Sequence, residues 1–272
     1  MTMTHKKALA VISFGSTFDD TRTRDIGGIE QALAAAFPAY DQYRAFTSGV
    51  IRKRLSEKGV NVEGPEELLE RLADIGYTEL ILQPTHLLHG EEFEQKILAL
   101  KEKYQAVFKD IIISTPLITT DEDYKLAAAA AVSVLPELAA GEGVVFMGHG
   151  SPRNNNKSFG QTYNRLQKLF NAMGVPALIG TVEDEDSPNF DAVLKELRQR
   201  GYTKVHMYPF MVVAGDHANN DMYGDDDDSW RMQIEKLGVK TCGHLQGLGR
   251  NKAVQAIYIQ HVLAAMANHL HK

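Results

Sequence analysis

The sequence predicts an α/β protein of two similar domains, each a parallel sheet flanked by helices. Three observations predict it: short apolar runs alternate with longer amphipathic segments, glycines bound the runs, and two stretches of the chain recur in order. Apolar, β-branched runs stand at 8–14, 80–83, 111–114, 144–147, 177–182 and 205–213. Their shortness and lack of polar alternation suit strands covered on both faces. Segments 65–75, 93–108, 190–199 and 253–269 carry apolar residues at helical spacing, and strands alternating with such helices build βαβ units.

The repeat supplies the domain organisation. Gly76-Tyr77-Thr78 recurs as Gly201-Tyr202-Thr203, each leading from a helical segment into a strand, and the same offset carries Pro84 onto Pro209 and Gly90 onto Gly215. A second pair opens each half: Ile12-Ser13-Phe14-Gly15-Ser16 matches Met147-Gly148-His149-Gly150-Ser151. Two matches in the same order point to a duplicated unit. The expected domains are 1–135 and 136–272, with the seam in 136–143, where Pro, Gly and small residues gather.

Composition excludes several classes. A net charge of −6 and a pI near 5.9 offer no general field for nucleic acid. The apolar runs fall short of a bilayer span, so no membrane partner is expected. Cys242 is the sole cysteine among 272 residues, so neither an internal disulfide nor a thiolate-rich metal site can form. The N-terminal residues run directly into a strand without a separate signal-peptide core, and the expected location is the cytoplasm. Arg52-Lys53-Arg54, with Arg44 nearby, reads first as a solvated helix face and second as a patch for an anionic ligand.

The duplicated halves expose what is special in the second. Where it has His149, the first has Phe14; where it has His217, the first has Glu92. Both histidines follow a strand, and open parallel sheets bind ligands beyond the carboxyl ends of their strands. Glu183 ends the intervening apolar run, in an acidic stretch before Pro188, which reads as opening the next helix. The spacing from His149 to Glu183 equals that from Glu183 to His217, about one βα repeat, so successive strands would deliver all three to one rim. Taken singly, each has a structural explanation; their convergence favours a metal site. Two imidazoles and a carboxylate suit Co²⁺, Ni²⁺, Fe²⁺ or Zn²⁺. His86 and His89 stand on the equivalent loop of the first half. His206 lies within a strand, His261, His269 and His271 read as helix surface, and Asp225 to Asp228 reads equally as a metal-collecting patch or a solvated loop before Trp230. Gly148-His149-Gly150-Ser151 lacks the flanks of a nucleophile elbow, and no phosphate-binding loop occurs.

Ala10-Val-Ile-Ser-Phe-Gly-Ser-Thr, Arg44-Ala-Phe-Thr-Ser-Gly, Val145-Phe-Met-Gly-His-Gly and Val213-Ala-Gly-Asp-His-Ala-Asn-Asn-Asp-Met resemble the anaerobic sirohydrochlorin cobaltochelatases, class II chelatases related in fold to ferrochelatase. The resemblance runs from about Lys6 to the C-terminus. It implies two α/β domains around a cleft, a last helix packing on the first domain, and insertion of Co²⁺ into a sirohydrochlorin-type tetrapyrrole early in cobalamin biosynthesis without a nucleotide. It places the metal ligands on His149, Glu183 and His217, with His149 also accepting a proton. Phe14, His86, His89, Arg44 and Arg54 are the expected substrate contacts, and some relatives bind haem through a histidine on the first-half loop. A homo-oligomer is left open. The alternatives are an iron or nickel chelatase acting on the same ring, and a non-catalytic metal- or haem-binding protein.

Overall fold

A computed structural model describes residues 6–150 and 161–270; the sequence readings of the first residues, of Ser151 and of His271 fall outside them. The chain divides into two compact units, Met1–Asp123 with Lys252–Lys272, and Tyr124–Asn251. The first holds β1 (Lys6–Ser13), β2 (Asp41–Phe46), β3 (Tyr77–Pro84) and β4 (Asp110–Ile113), in the order β2-β1-β3-β4. The second holds β5 (Glu142–Gly148), β6 (Ala177–Thr181), β7 (Lys204–Pro209) and β8 (Lys240–Gly243), in the order β6-β5-β7-β8. All pairings are parallel. The strand order is the same in both units, as a duplication requires. Gly76 and Gly201, from the repeated triplet, lead into β3 and β7 with φ of 86° and 65°.

The inner strands β1 and β5 are buried along almost their whole length, which is why they read as continuous apolar runs. In the second unit, alternate residues Val145, Met147, Val205 and Met207 face Val193, Leu197, Trp230 and Ile234. The opposite face carries Phe146, which stacks on Phe170 at 4.9 Å and meets the edge of Phe210 at 5.9 Å.

Several expectations are corrected. β2 and β8 were not anticipated: both lie at sheet edges, are half-exposed, and carry polar residues that blur the apolar signal. The strand expected over 205–213 stops at Pro209, because the backbone carbonyls of Met211 and Val212 accept from Leu248 and Gly249 (2.8 and 2.9 Å) instead of joining the sheet. The helix after β6 begins at Phe190, not at Pro188. Asn189 is its cap, accepting from the Ala192 N–H at 3.2 Å.

The division at Asp123/Tyr124 falls inside the helix Asp121–Val132, ahead of the breaker-rich 136–143. Tyr124 sits under the Arg165 guanidinium at 4.0 Å and pairs with Thr162 at 3.2 Å, while Asn251 donates to the Ala130 carbonyl at 2.6 Å. Those contacts tie the helix to the second unit, so Pro136 and its neighbours punctuate a loop within it. The last helix, Lys252–Leu270, belongs to the first unit. Its fully buried Tyr258 donates to the Thr85 carbonyl at 3.0 Å. His261, expected on the helix surface, is largely buried and bonds Asp123 at 3.0 Å. No described helix is long and apolar enough to cross a membrane.

Candidate metal centre

β5 ends at Gly148, and the next residue is His149. The backbone here is pinched between two side chains. A Cβ on Gly148 would stand 2.1 Å from the ring of buried Tyr163, and one on Gly150 would stand 2.7 Å from Glu183 Cβ, at a φ of +94°. Only glycine fits both positions. The Tyr163 hydroxyl accepts the Gly150 N–H at 3.1 Å, and the Glu183 N–H donates to the His149 carbonyl at 3.1 Å. The β5–β6 pairing thus continues past the strand ends and lays Glu183 against the His149–Gly150 peptide.

His217 arrives from β7 through the loop 210–216, as the residue before the helical turn Ala218–Met222. Asn219 secures that loop by donating to the carbonyls of Ala214 (3.2 Å) and Gly215 (2.7 Å). The His149 and His217 rings meet edge to face with centroids 4.8 Å apart.

Partners at Nδ1 decide the chemistry of both rings. His217 Nδ1 lies 2.6 Å from the Asp221 carboxylate, and His149 Nδ1 lies 3.3 Å from the Gly150 carbonyl. A carbonyl and an ionised carboxylate only accept, so each Nδ1 carries the proton and each Nε2 presents a lone pair. Burial pushes the His149 pKa below its ordinary value, the His217 ring adds to this, and Glu183 opposes it. The ring therefore stays neutral further into the acid range, as a metal ligand must.

All three expected ligands thus stand beyond the carboxyl ends of β5, β6 and β7 in the second unit. The histidines are in ring contact, and Glu183 lies close enough for its charge to act on His149. Asp221 and Asn219 were missed as positioning groups. The four-residue step from His217 to Asp221 on a helical turn is the signal that could have found the first.

The expected substrate contacts all stand on the first unit. Phe14 follows β1, in the place His149 has after β5, and is 50% exposed. Arg44, on β2, is engaged through both arms by Glu30 and lies over Phe46. Arg54 is exposed on the helix Gly49–Glu57. His89 bonds Glu94 at 2.6 Å and packs on Phe93. Both His86 ring nitrogens are buried with no hydrogen-bond partner among the described residues, and burial lowers its pKa to about 4. The Asp225–Asp228 stretch is engaged by cations and amides: Arg231 reaches Asp225 at 2.7 Å, and Gln233 donates to the Asp227 carbonyl. That favours the solvated-loop reading.

The sequence family described as Cobalt chelatase (CbiK) matches residues 7–267. The chain is 38% identical to the sirohydrochlorin cobaltochelatase of Salmonella typhimurium over 262 residues, covering 96% of this chain and 97% of that protein. It is 27% identical to the sirohydrochlorin cobaltochelatase CbiKC of Nitratidesulfovibrio vulgaris, covering 96% and 91%. Among solved structures, SirB from Bacillus subtilis with Fe³⁺ shares the fold with a TM-score of 0.66 at 17% identity, covering 98% of each chain.

Proposed function

The chain belongs to the cobalt chelatase family, and we propose that its insertion of Co²⁺ into a sirohydrochlorin-type tetrapyrrole, in cobalamin biosynthesis, is carried by His149, Glu183 and His217. The edge-to-face pair of imidazoles, each with Nδ1 against an acceptor, is the observation that supports this assignment.

Insertion requires that the metal shed water, that ring nitrogens take its place, and that two pyrrole N–H protons leave. The two Nε2 lone pairs replace water on Co²⁺, and the Glu183 carboxylate offsets part of its charge. As the ion passes to the pyrrole nitrogens, His149 Nε2 is freed. It then accepts one of the displaced protons while the other passes to solvent, so one residue serves as ligand first and base second. The assay is tetrapyrrole absorbance against time, with Co²⁺ in excess and no nucleotide added. The spectrum is expected to shift well beyond one equivalent per protein. A shift that stops at one equivalent would identify a carrier.

Asp221 is a positioning residue in this scheme. Asp221→Ala frees Nδ1 of His217 and allows the wrong tautomer, so the Co²⁺ concentration for half-maximal rate should rise about 10- to 100-fold, with kcat at saturating cobalt largely kept. Asp221→Asn, whose carboxamide oxygen can still accept, should recover most of the difference. An equal loss of kcat in both variants would assign Asp221 a different role.

Phe14, His86, His89, Arg44 and Arg54 are proposed to meet the macrocycle. Phe14 offers an exposed ring for stacking, and Arg54 an exposed charge for substrate carboxylates; at Arg44 a carboxylate has to compete with Glu30. Phe14→Ala should raise the tetrapyrrole KM about tenfold, the loss of one aromatic contact of about 1.4 kcal/mol. Co²⁺ binding to the protein alone, followed by calorimetry, should be unchanged; a parallel loss there would remove Phe14 from the substrate site. Nucleotide independence and a cytoplasmic location are part of the same reading.

A further inference from the structure

A second group of metal-ligating side chains lies within the second unit and uses none of the strand-end residues. His206, Cys242 and His244 each offer a donor atom, and these atoms all lie within 4.8 Å of one another. Register brings them together. His206 on β7 pairs with Cys242 on β8, so both side chains leave the same face of the sheet. His244 follows two residues later, its N–H held by the Met207 carbonyl at 2.9 Å and its ring stacked on Tyr208 at 4.2 Å.

The donors are already oriented. His206 is buried, with Nε2 3.3 Å from a Glu142 carboxylate oxygen; Lys204 holds the other oxygen at 3.0 Å. Facing an ionised carboxylate, Nε2 carries the proton and Nδ1 presents its lone pair. That lone pair points at His244 Nε2, 3.0 Å away. Two nitrogens bound to one tetrahedral ion at about 2.0–2.1 Å stand about 3.3 Å apart, so a small movement turns this proton-sharing contact into a bidentate one. The thiol completes a three-ligand set, and carboxylate behind imidazole is the usual outer support of such sites.

We propose that His206, Cys242 and His244 form a second metal site for a borderline divalent ion, Co²⁺ or Zn²⁺, with Glu142 orienting His206. Binding deprotonates Cys242 and releases that proton to solvent. The ion then clasps edge strand β8 to β7, its one neighbour in the sheet.

Cys242 is the sole cysteine, so a thiolate-to-cobalt charge-transfer band can come from nowhere else in the chain. The experiment titrates CoCl₂ anaerobically into the metal-free full-length protein, reading the near-ultraviolet band and, by equilibrium dialysis, total bound cobalt. The expected result is a band that saturates at one equivalent, with about two equivalents bound in all. Cys242→Ser should lose the band and about half of the bound cobalt while inserting Co²⁺ into the tetrapyrrole at the parent rate. His244→Ala should weaken the band-forming site at least tenfold. His217→Ala should keep the band, which separates this site from the strand-end centre. No band at saturating cobalt in the folded parent protein, or a band that survives in Cys242→Ser, would overturn the proposal.

Discussion

His149→Ala is expected to slow Co²⁺ insertion about 10²- to 10⁴-fold at every cobalt concentration, the range lost with a positioned general base. His217→Ala and Glu183→Ala are expected to behave differently. In the proposed assignment each removes a ligand but leaves the base, so each is expected to raise the cobalt requirement, with excess cobalt recovering part of the rate. The distinction follows from placement: His149 stands directly after β5, with its Nε2 free and its ring shielded enough to stay neutral. Initial rate against cobalt concentration at fixed tetrapyrrole separates the two behaviours. If cobalt rescues His149→Ala as readily as the others, that residue is a ligand and not the base. The pH profile gives an independent reading. Burial and the His217 ring lower the His149 pKa, so its neutral form persists below the ordinary imidazole value. The limb of the rate profile that belongs to His149 should therefore lie below that value, as the ring takes up a proton.

Gly148→Ala is expected to damage both stability and activity, although it adds one methyl group and no charge. That methyl would lie 2.1 Å from Tyr163 Cε1, and the Tyr163 ring is 1% exposed, with nowhere to withdraw. Displacing the ring also breaks its bond to the Gly150 N–H, the contact that holds the turn carrying His149. Overpacking of this kind costs about 1–3 kcal/mol, and a shift of about 1 Å in a reacting group can cost about 10²-fold in rate. Thermal unfolding and insertion rate should therefore fall together. Gly148→Ala combined with Tyr163→Leu should recover part of the stability lost by the first change, because the two effects share one space. A Gly148→Ala protein that melts with the parent would show that the pinch is not tight.

The comparison of the two halves singled out His149, Glu183 and His217 from the sequence, and the reason is local. His149 and Glu183 follow β5 and β6 within two residues and His217 follows β7 across the loop 210–216, and a parallel sheet delivers the ends of its strands to the same rim. The roles of Asp221 and Asn219 required the conformation of the turn after His217, which the residues alone leave open. The edge strands β2 and β8 escaped for another reason. Unlike the edge strand β6, which is buried throughout, β2 and β8 are half-exposed, so Asp41, Arg44 and Lys240 occupy places where an inner strand carries valine or isoleucine.

By itself, then, the order of residues determined the fold class and the strand ends that carry the proposed metal ligands, which are written in short-range periodicity, and the duplication, which is written in stretches that recur along the chain. Tertiary structure alone decided three other matters. It seated Arg44 against Glu30, buried both His86 nitrogens, and brought His206 beside Cys242 and His244. Each depends on which strands or helices lie side by side and in what register. That is settled by packing between segments tens of residues apart, where no local pattern in the chain carries the information.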